Sequence, residues 1–275
     1  MPDTRAHIIG PALGAMLAIL AAGCAATGAG STPTLGKNWK SLFDGRTLNG
    51  WTPKIVGYPA GQDPLQTFRA KDGVISVSYD NYGGELGGRF GHLFYKEPFT
   101  AYRLSLDYRF TGEELHSTPP RGTPVNSGVM FDSESPELMT AEQGYPISIE
   151  GQLLGPNPGG PPRVTGSFCT MGTKMFSQGK LLDHCINTDV SPSPIGTWVH
   201  FELEVTAAGH VTESLDGKTT VSMDRVELDP AFTRFPIKPV IEAAGGNLVV
   251  NGGYIALQSE GHPIEFRNIR IQSLQ

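Results

Sequence analysis

Between residues 102 and 110 the chain reads YRLSLDYRF, with every second position apolar. Tyr102, Leu104, Leu106, Tyr108 and Phe110 share one face of an extended segment, and Arg103, Ser105, Asp107 and Arg109 share the other. WVHFELEV (198–205) repeats the pattern, with Val199, Phe201, Leu203 and Val205 facing in and His200, Glu202 and Glu204 facing out. FRAKDGVISV (68–77) and VTESLDGKTTVSM (211–223) each hold two short runs joined by Asp-Gly, at 72–73 and 216–217, which predicts hairpins. PIEFRNIRI (263–271) changes phase between Phe266 and Ile269, and a bulge at Arg267–Asn268 reconciles the halves. No stretch keeps a helical period beyond a turn or two. GQLLGPNPGGPPRVTG (151–166) and TDVSPSPIG (188–196) read as loops. Strands and turn signals at this spacing predict an all-β, two-layered antiparallel sandwich.

Composition supports this reading. Thirty-five glycines and 22 prolines in 275 residues suit many turns. The length allows one large sandwich domain. A net charge of −6 offers no basic footprint, so nucleic acid is not an expected partner. There is no phosphate loop, dinucleotide fingerprint, HExxH or GxSxG motif. Gly83, Gly84, Gly87 and Gly88 lack the strand-to-helix context of a phosphate loop and read as a turn.

The N-terminus sets the expected location. Arg5 precedes an apolar run, IIGPALGAMLAILAAG (8–23), which Pro11 interrupts and which is short for a membrane span. Small residues before Cys24 resemble a bacterial lipobox. The expectation is a lipoprotein signal over 1–23, lipidation at Cys24, a flexible tether over 24–36 and a β-sandwich domain over 37–275. That makes an exported lipoprotein, periplasmic or at the cell surface, held to a membrane by its N-terminal lipid. An ordinary secretory signal is the alternative. The remaining cysteines, Cys169 and Cys185, fit a disulfide in an exported protein. A zinc site is the alternative, with His184 as the one nearby histidine.

Three groups are candidates for chemistry. In SIEGQLLG (148–155), Glu150 and Gln152 share a strand face while Ile149 and Leu153 share the other. They are either a solvated sheet face or part of a site. Gly151 between them suggests a close approach of backbone. In ALQSEGHPIEF (256–266), Gln258 and Glu260 share a face, and His262 joins them if the chain stays extended through Gly261. An amide, a carboxylate and an imidazole can together bind a sugar and move protons. In NSGVMF (126–131), Asn126 is a ligand contact or a turn residue.

SLFDGRTLNGW (41–51), HLFYKEPFTAYRLSLDYRF (92–110), NSGVMF, SIEGQLLG and GYIALQSEGHPIEFRNIRI (253–271) together resemble, in order, the 3-keto-disaccharide hydrolase family. FCTMGTKM (168–175) and DHCINTD (183–189) are similar to a branch of it carrying this cysteine pair. The resemblance implies a concanavalin A-like jelly roll with glycans bound on the concave face. It implies cleavage of a glycoside whose sugar a separate NAD-dependent dehydrogenase has first oxidised at C3. The C3 ketone acidifies the C2 proton; a base removes it, the C1 substituent leaves, and water adds to the enone. On this reading Glu150, Glu260 and His262 are catalytic, and Asn126, Gln152 and Gln258 contact sugar. Arg267 either steadies enolate charge or makes a structural ion pair, and the disulfide loop carries His184 to the rim. Glu150, Glu260, His262 and His184 are also possible ligands of a divalent metal, although no spacing is diagnostic. PNPGGPPRVTGS (156–167) departs from relatives that carry an Asp in that segment. The alternative function is a non-catalytic, lectin-like carbohydrate binder. An ordinary endo-glucanase fits less well, since its Glu-x-Asp-x-x-Glu strand is absent.

Overall fold

The computed structural model describes residues 38–116, 124–157 and 159–274. The signal, the tether and Cys24 lie outside them. Leu35–Gln275 forms one compact unit.

Two antiparallel sheets make the expected sandwich. One runs in the order Lys218–Met223, Val211–Leu215, Val199–Val205, Tyr102–Phe110, Ile264–Ser273, Val74–Val77, Phe68–Lys71, with Lys40–Ser41 paired beside Ile264–Ser273. The other runs Cys185–Ile186, Ser167–Met171, Ser148–Leu154, Asn126–Ser133, Tyr254–Ser259, Gly91–Tyr95, Trp51–Ile55. Lys40 opposes Ile271, so the first and last strands of the domain meet.

The alternation read from sequence sets the core. Tyr102, Leu104, Leu106, Tyr108 and Phe110 are buried, as are Val199, Phe201, Leu203 and Val205. They meet Val129, Phe131, Ile149, Leu153 and Phe168 of the second sheet in one cluster. Each such side chain contributes about 1.5–3 kcal/mol on leaving water. Both Asp-Gly turns take positive φ at both positions, 52° and 82° at Asp72–Gly73 and 49° and 78° at Asp216–Gly217. That is the hairpin geometry whose twist suits the flanking strands. The expected bulge is present: register shifts between Arg267 and Arg270, and Asn268 has φ 54°.

Two features had no sequence signal. A small four-stranded sheet joins Lys180–Leu181, Thr173–Ser177, Arg225–Leu228 and Val249–Val250. The helix Lys238–Ala243, among the described residues, is six residues long, too short to establish an amphipathic period.

Candidate active site

Cross-strand register decides which candidates meet. Ile149 and Leu153 join the core between the sheets, so Glu150 and Gln152 point to the opposite, outer face. Glu150 opposes Met130 and Cys169, and Gln152 opposes Gly128 and Ser167. Leu257 opposes Val129, which sets Gln258 beside Gly128. Gln258 opposes His92, and His92 opposes Lys54. Gln152, Gly128, Gln258, His92 and Lys54 therefore form one row across five strands. Asn126 and Glu260 close the next row, with Asn126 Nδ2 donating to Glu260 Oε2 at 2.8 Å.

Two glycines make this arrangement possible. The Glu150 side chain lies down across the neighbouring strand onto Gly128, where a Cβ would collide with its carboxyl. On the other face, a Cβ at Gly151 would come within 2.6 Å of Glu213 Oε2 and 3.3 Å of Phe201. The close approach expected at Gly151 is thus a buried carboxyl of the facing sheet.

The outer face is not a wet face. The segment from Glu134 to Ile147 folds over it. Met139 packs with Phe94, Met130 and Ala256. Ala141 O accepts from Lys54 Nζ at 3.0 Å. The Tyr145 hydroxyl donates to Glu260 Oε1 at 3.0 Å, and its ring stands 6.0 Å from His92. Glu134 holds the segment in place, accepting from the Ile147 and Gln143 nitrogens. Gln258, His92 and Lys54 are consequently buried, and Asn126 and Glu260 nearly so, whereas Glu150 keeps partial exposure.

Burial under this cover shifts the charges. It raises the Glu150 carboxyl well above the usual range, and the Glu260 charge raises it further, with Gln258 offsetting part. Burial, then Lys54, lowers His92 to about 3, so its imidazole is neutral. Burial also lowers Lys54. Gln258 Oε1, Asn126 Oδ1 and His92 Nε2 are buried without a hydrogen bond among the described residues, while the Gln258 amide faces the Glu150 carboxyl. Leaving such atoms unmet costs about 1–3 kcal/mol each. Unmet atoms on one face suit a hydroxyl-rich ligand, with a carboxyl of raised pKa beside it for proton transfer.

The cysteines are bonded, and Cys169 and Cys185 are directly opposed across the edge of this sheet. Cys169 Sγ lies 3.8 Å from the Gln152 amide oxygen, so the bridge adjoins the candidate face.

Three expected residues go elsewhere. Arg267 lies on the outer face of the other sheet, bonded to Asp107 at 3.2 Å and stacked 3.9 Å from the Trp198 ring centre. There it makes an ion pair with Asp107, the residue it opposes on the neighbouring strand. His184 is exposed, 2.9 Å from Thr170 Oγ1. Thr170 opposes Ile149, so His184 accompanies the face turned away from Glu150. Gly261 has φ 95°, which ends the extended run before His262. The His262 ring instead stands edge-on to Phe110 at 5.5 Å. Among the described residues no three His, Cys, Asp or Glu side chains converge as a metal-ligand set.

Sequence reasoning passed over Lys54, His92 and Tyr145. Lys54 in WTPKI and His92 in GHLFY carry the same signal as Glu150, a polar residue inside an apolar strand. Tyr145 comes from an irregular segment, where no periodicity marks it.

A two-sheet antiparallel sandwich with one largely covered polar face is the class of protein that fold and site define. The model of the 3-keto-alpha-glucoside-1,2-lyase-like domain matches residues 38–272, and the chain belongs to that family. Among solved structures, a "putative glycosyl hydrolase" from Parabacteroides distasonis ATCC 8503 is 21% identical, with TM-score 0.51, 86% of this chain and 99% of that one covered. A second from the same organism is 16% identical, with TM-score 0.51 and coverage of 88% and 99%. These likenesses support the fold. No curated protein matched the chain.

Proposed function

We propose that this protein cleaves glycosides whose sugar carries a ketone at C3, by removing the C2 proton and expelling the C1 substituent. The supporting observation is Glu150, a carboxyl raised by burial and by Glu260 on a face of unmet hydrogen-bonding atoms. Glu260, which accepts from Asn126 and Tyr145, is the nearby partner carboxyl. One of the two takes the C2 proton. The enolate electrons then form the C1–C2 double bond as the C1–O bond breaks, and the other carboxyl delivers a proton to the leaving oxygen. Water added across the double bond, hydroxyl at C1 and proton at C2, gives the free 3-keto sugar. Gln258, Gln152 and Asn126 bind hydroxyls, and the amide donors face the ketone and enolate oxygens.

The rest of the proposal follows from that substrate. A separate NAD-dependent dehydrogenase supplies the ketone, since this chain has no dinucleotide fingerprint. Lipidation at Cys24 and residence outside the cytoplasm complete it. The test is incubation with nitrophenyl 3-keto-glucoside and with its unoxidised parent. Nitrophenol release from the first alone, with deuterium entering C2 in heavy water, supports the reading. Binding of the 3-keto-glucoside without release would make the protein a carbohydrate binder instead.

A further inference from the structure

The face that should take the sugar is shut. Gln258 is 0% exposed, and His92 and Lys54 are each 1% exposed. A ligand reaches the unmet atoms there only when the segment Glu134–Ile147 moves away. That segment is bonded chiefly to itself. Its ends are tied where Glu134 N donates to Ile147 O at 2.9 Å and Ile147 N donates to the Glu134 carboxyl at 2.7 Å. Inside it, Gln143 Nε2 donates to the Glu134 carboxyl and to Tyr145 O, and Gln143 N donates to Thr140 O. A loop whose ends meet and whose own side chains pack it is a compact unit. Its outer side, at Glu137, Thr140, Ala141 and Glu142, faces solvent.

Its hold on the sheet is sparser. Ala141 O accepts from Lys54 Nζ at 3.0 Å and from Gly57 N at 2.9 Å. The Tyr145 hydroxyl donates to Glu260. Met139 packs with Phe94, Met130 and Ala256, and methionine re-packs readily. Lys54 is the unusual member of this set. Its buried ammonium donates to two carbonyls, Ala141 O and Ile55 O, and makes no ion pair among the described residues. Burying a cation against neutral carbonyls is costlier than packing an apolar side chain of the same length. A permanently seated loop needs no such group. A loop that opens does gain from one, because water takes the place of the carbonyl when the loop lifts.

We propose that Glu134–Ile147 is a flap that lifts as a unit to admit the sugar and closes over it, with Lys54 as its latch. The assignment rests on the reading that the face beneath takes a sugar. Closure excludes water from that face and brings Tyr145 onto Glu260. Lys54 touches no reacting atom and is a positioning residue.

Two amides report the motion separately. Gly57 N–H is bonded from the sheet side to Ala141 of the flap, and Ile147 N–H is bonded within the base of the flap. Hydrogen exchange, followed at single residues by NMR on the folded chain, should be faster at Gly57 than at Ile147, since lifting frees the first and keeps the second. In Glu150→Gln protein, where turnover is suppressed, bound 3-keto-glucoside should slow Gly57 exchange at least about tenfold. Lys54→Met should speed it at least about tenfold, the scale of one lost hydrogen bond from a charged group, and leave Ile147 unchanged. A lysine that merely supports the fold would move both amides together. Where Lys54→Met does not fold, Tyr145→Phe serves, with the same difference expected between the two amides. Equal exchange at Gly57 and Ile147 in the unmodified protein, or a Gly57 rate unmoved by bound ligand or by the latch variant, would overturn the flap. Lack of nitrophenol release by the unmodified protein would overturn the catalytic reading alone, because exchange in the free protein and in Lys54→Met needs no chemistry.

Discussion

The outer faces of the two sheets carry the same kind of alternating sequence and end in opposite states. On the eight-stranded sheet, Arg103 pairs with Glu204, Arg109 with Glu265 at 2.6 Å, and Asp107 takes up His200, Asn268 and Arg267. Burial works against the Asp107 charge, but its bonds to those three more than offset it and hold the carboxyl below its usual range. On the seven-stranded sheet, Asn126, Gln258 and His92 leave polar atoms unmet, and Glu150 is pushed the other way. Polar alternation thus has two outcomes. Where water or a partner reaches every group, the face is a solvated surface. Where a loop covers the groups and leaves them unpaired, the face is prepared for a ligand.

The largest test of this contrast exchanges one carboxyl on each face. Glu150→Gln keeps the shape over Gly128 and removes the proton. Turnover of 3-keto-glucoside should fall at least about a hundredfold, the lower scale for a lost proton-transfer group. Stability should hold, because the amide needs no buried charge. Asp107→Asn, on the paired face, should leave turnover unchanged. Equal losses in the two variants, measured as kcat on folded protein, would erase the distinction.

The next effect concerns the edge of the candidate face. The disulfide closes a separation of 16 residues, for which chain-entropy arguments give about 3 kcal/mol. A Cys169→Ser, Cys185→Ser double variant should melt lower by about 6–12 °C for a domain of this size. Because Cys169 adjoins Gln152, KM should rise as well while kcat changes little. An unchanged KM would show that Gln152 keeps its place without the bridge.

How far the sequence carried this picture depends on the physical source of each feature. The sandwich, the two Asp-Gly hairpins and the Arg267–Asn268 bulge follow from local periodicity and turn chemistry, and those are visible in a linear chain. Glu150, Gln152, Gln258, Glu260 and Asn126 also converge as strand parity implies. His262 departs because a single positive φ at Gly261 ends the alternation on which its placement was conditional. Arg267 shows the limit most clearly: the sequence leaves it open between the enolate and an ion pair, and only sheet order reveals that it lies on the sheet opposite Glu150. The cover over Glu150 comes from an irregular segment packed by long-range contacts through Met139 and Tyr145, and such contacts have no local pattern.

Between the two faces lies a third kind of carboxyl. Glu213 is fully buried, bonded through Oε1 to Thr220 at 3.1 Å, and raised by burial to about 8. The folded state therefore holds a proton that the unfolded chain releases above its ordinary value of 4.5. That contribution to stability is complete below about pH 4.5 and declines as pH rises through about 8, by at most about 1.4 kcal/mol per pH unit. Asp132 and Glu134, each raised to about 7, act with the same sign. Glu213→Gln should flatten the fall of Tm between pH 5 and 8 and melt above the unmodified protein at pH 8. Parallel Tm–pH curves would mean that Glu213 is ionised in the fold.

The smallest effect is the sharpest check on the paired face. Arg267 is stacked on Trp198 and bonded to Asp107, with 38% of its side chain exposed. Exposed ion pairs contribute about 0–1 kcal/mol, and a solvent-facing cation–π contact about 0.5–1 kcal/mol. Arg267→Ala should therefore lower Tm by only about 2–4 °C, and part of that should vanish in high salt. Its kcat should match that of the unmodified protein, because the sandwich core separates it from Glu150. A loss of turnover near that of Glu150→Gln, in protein that melts normally, would return Arg267 to the enolate-steadying role and would mean that the two outer faces are coupled through the core.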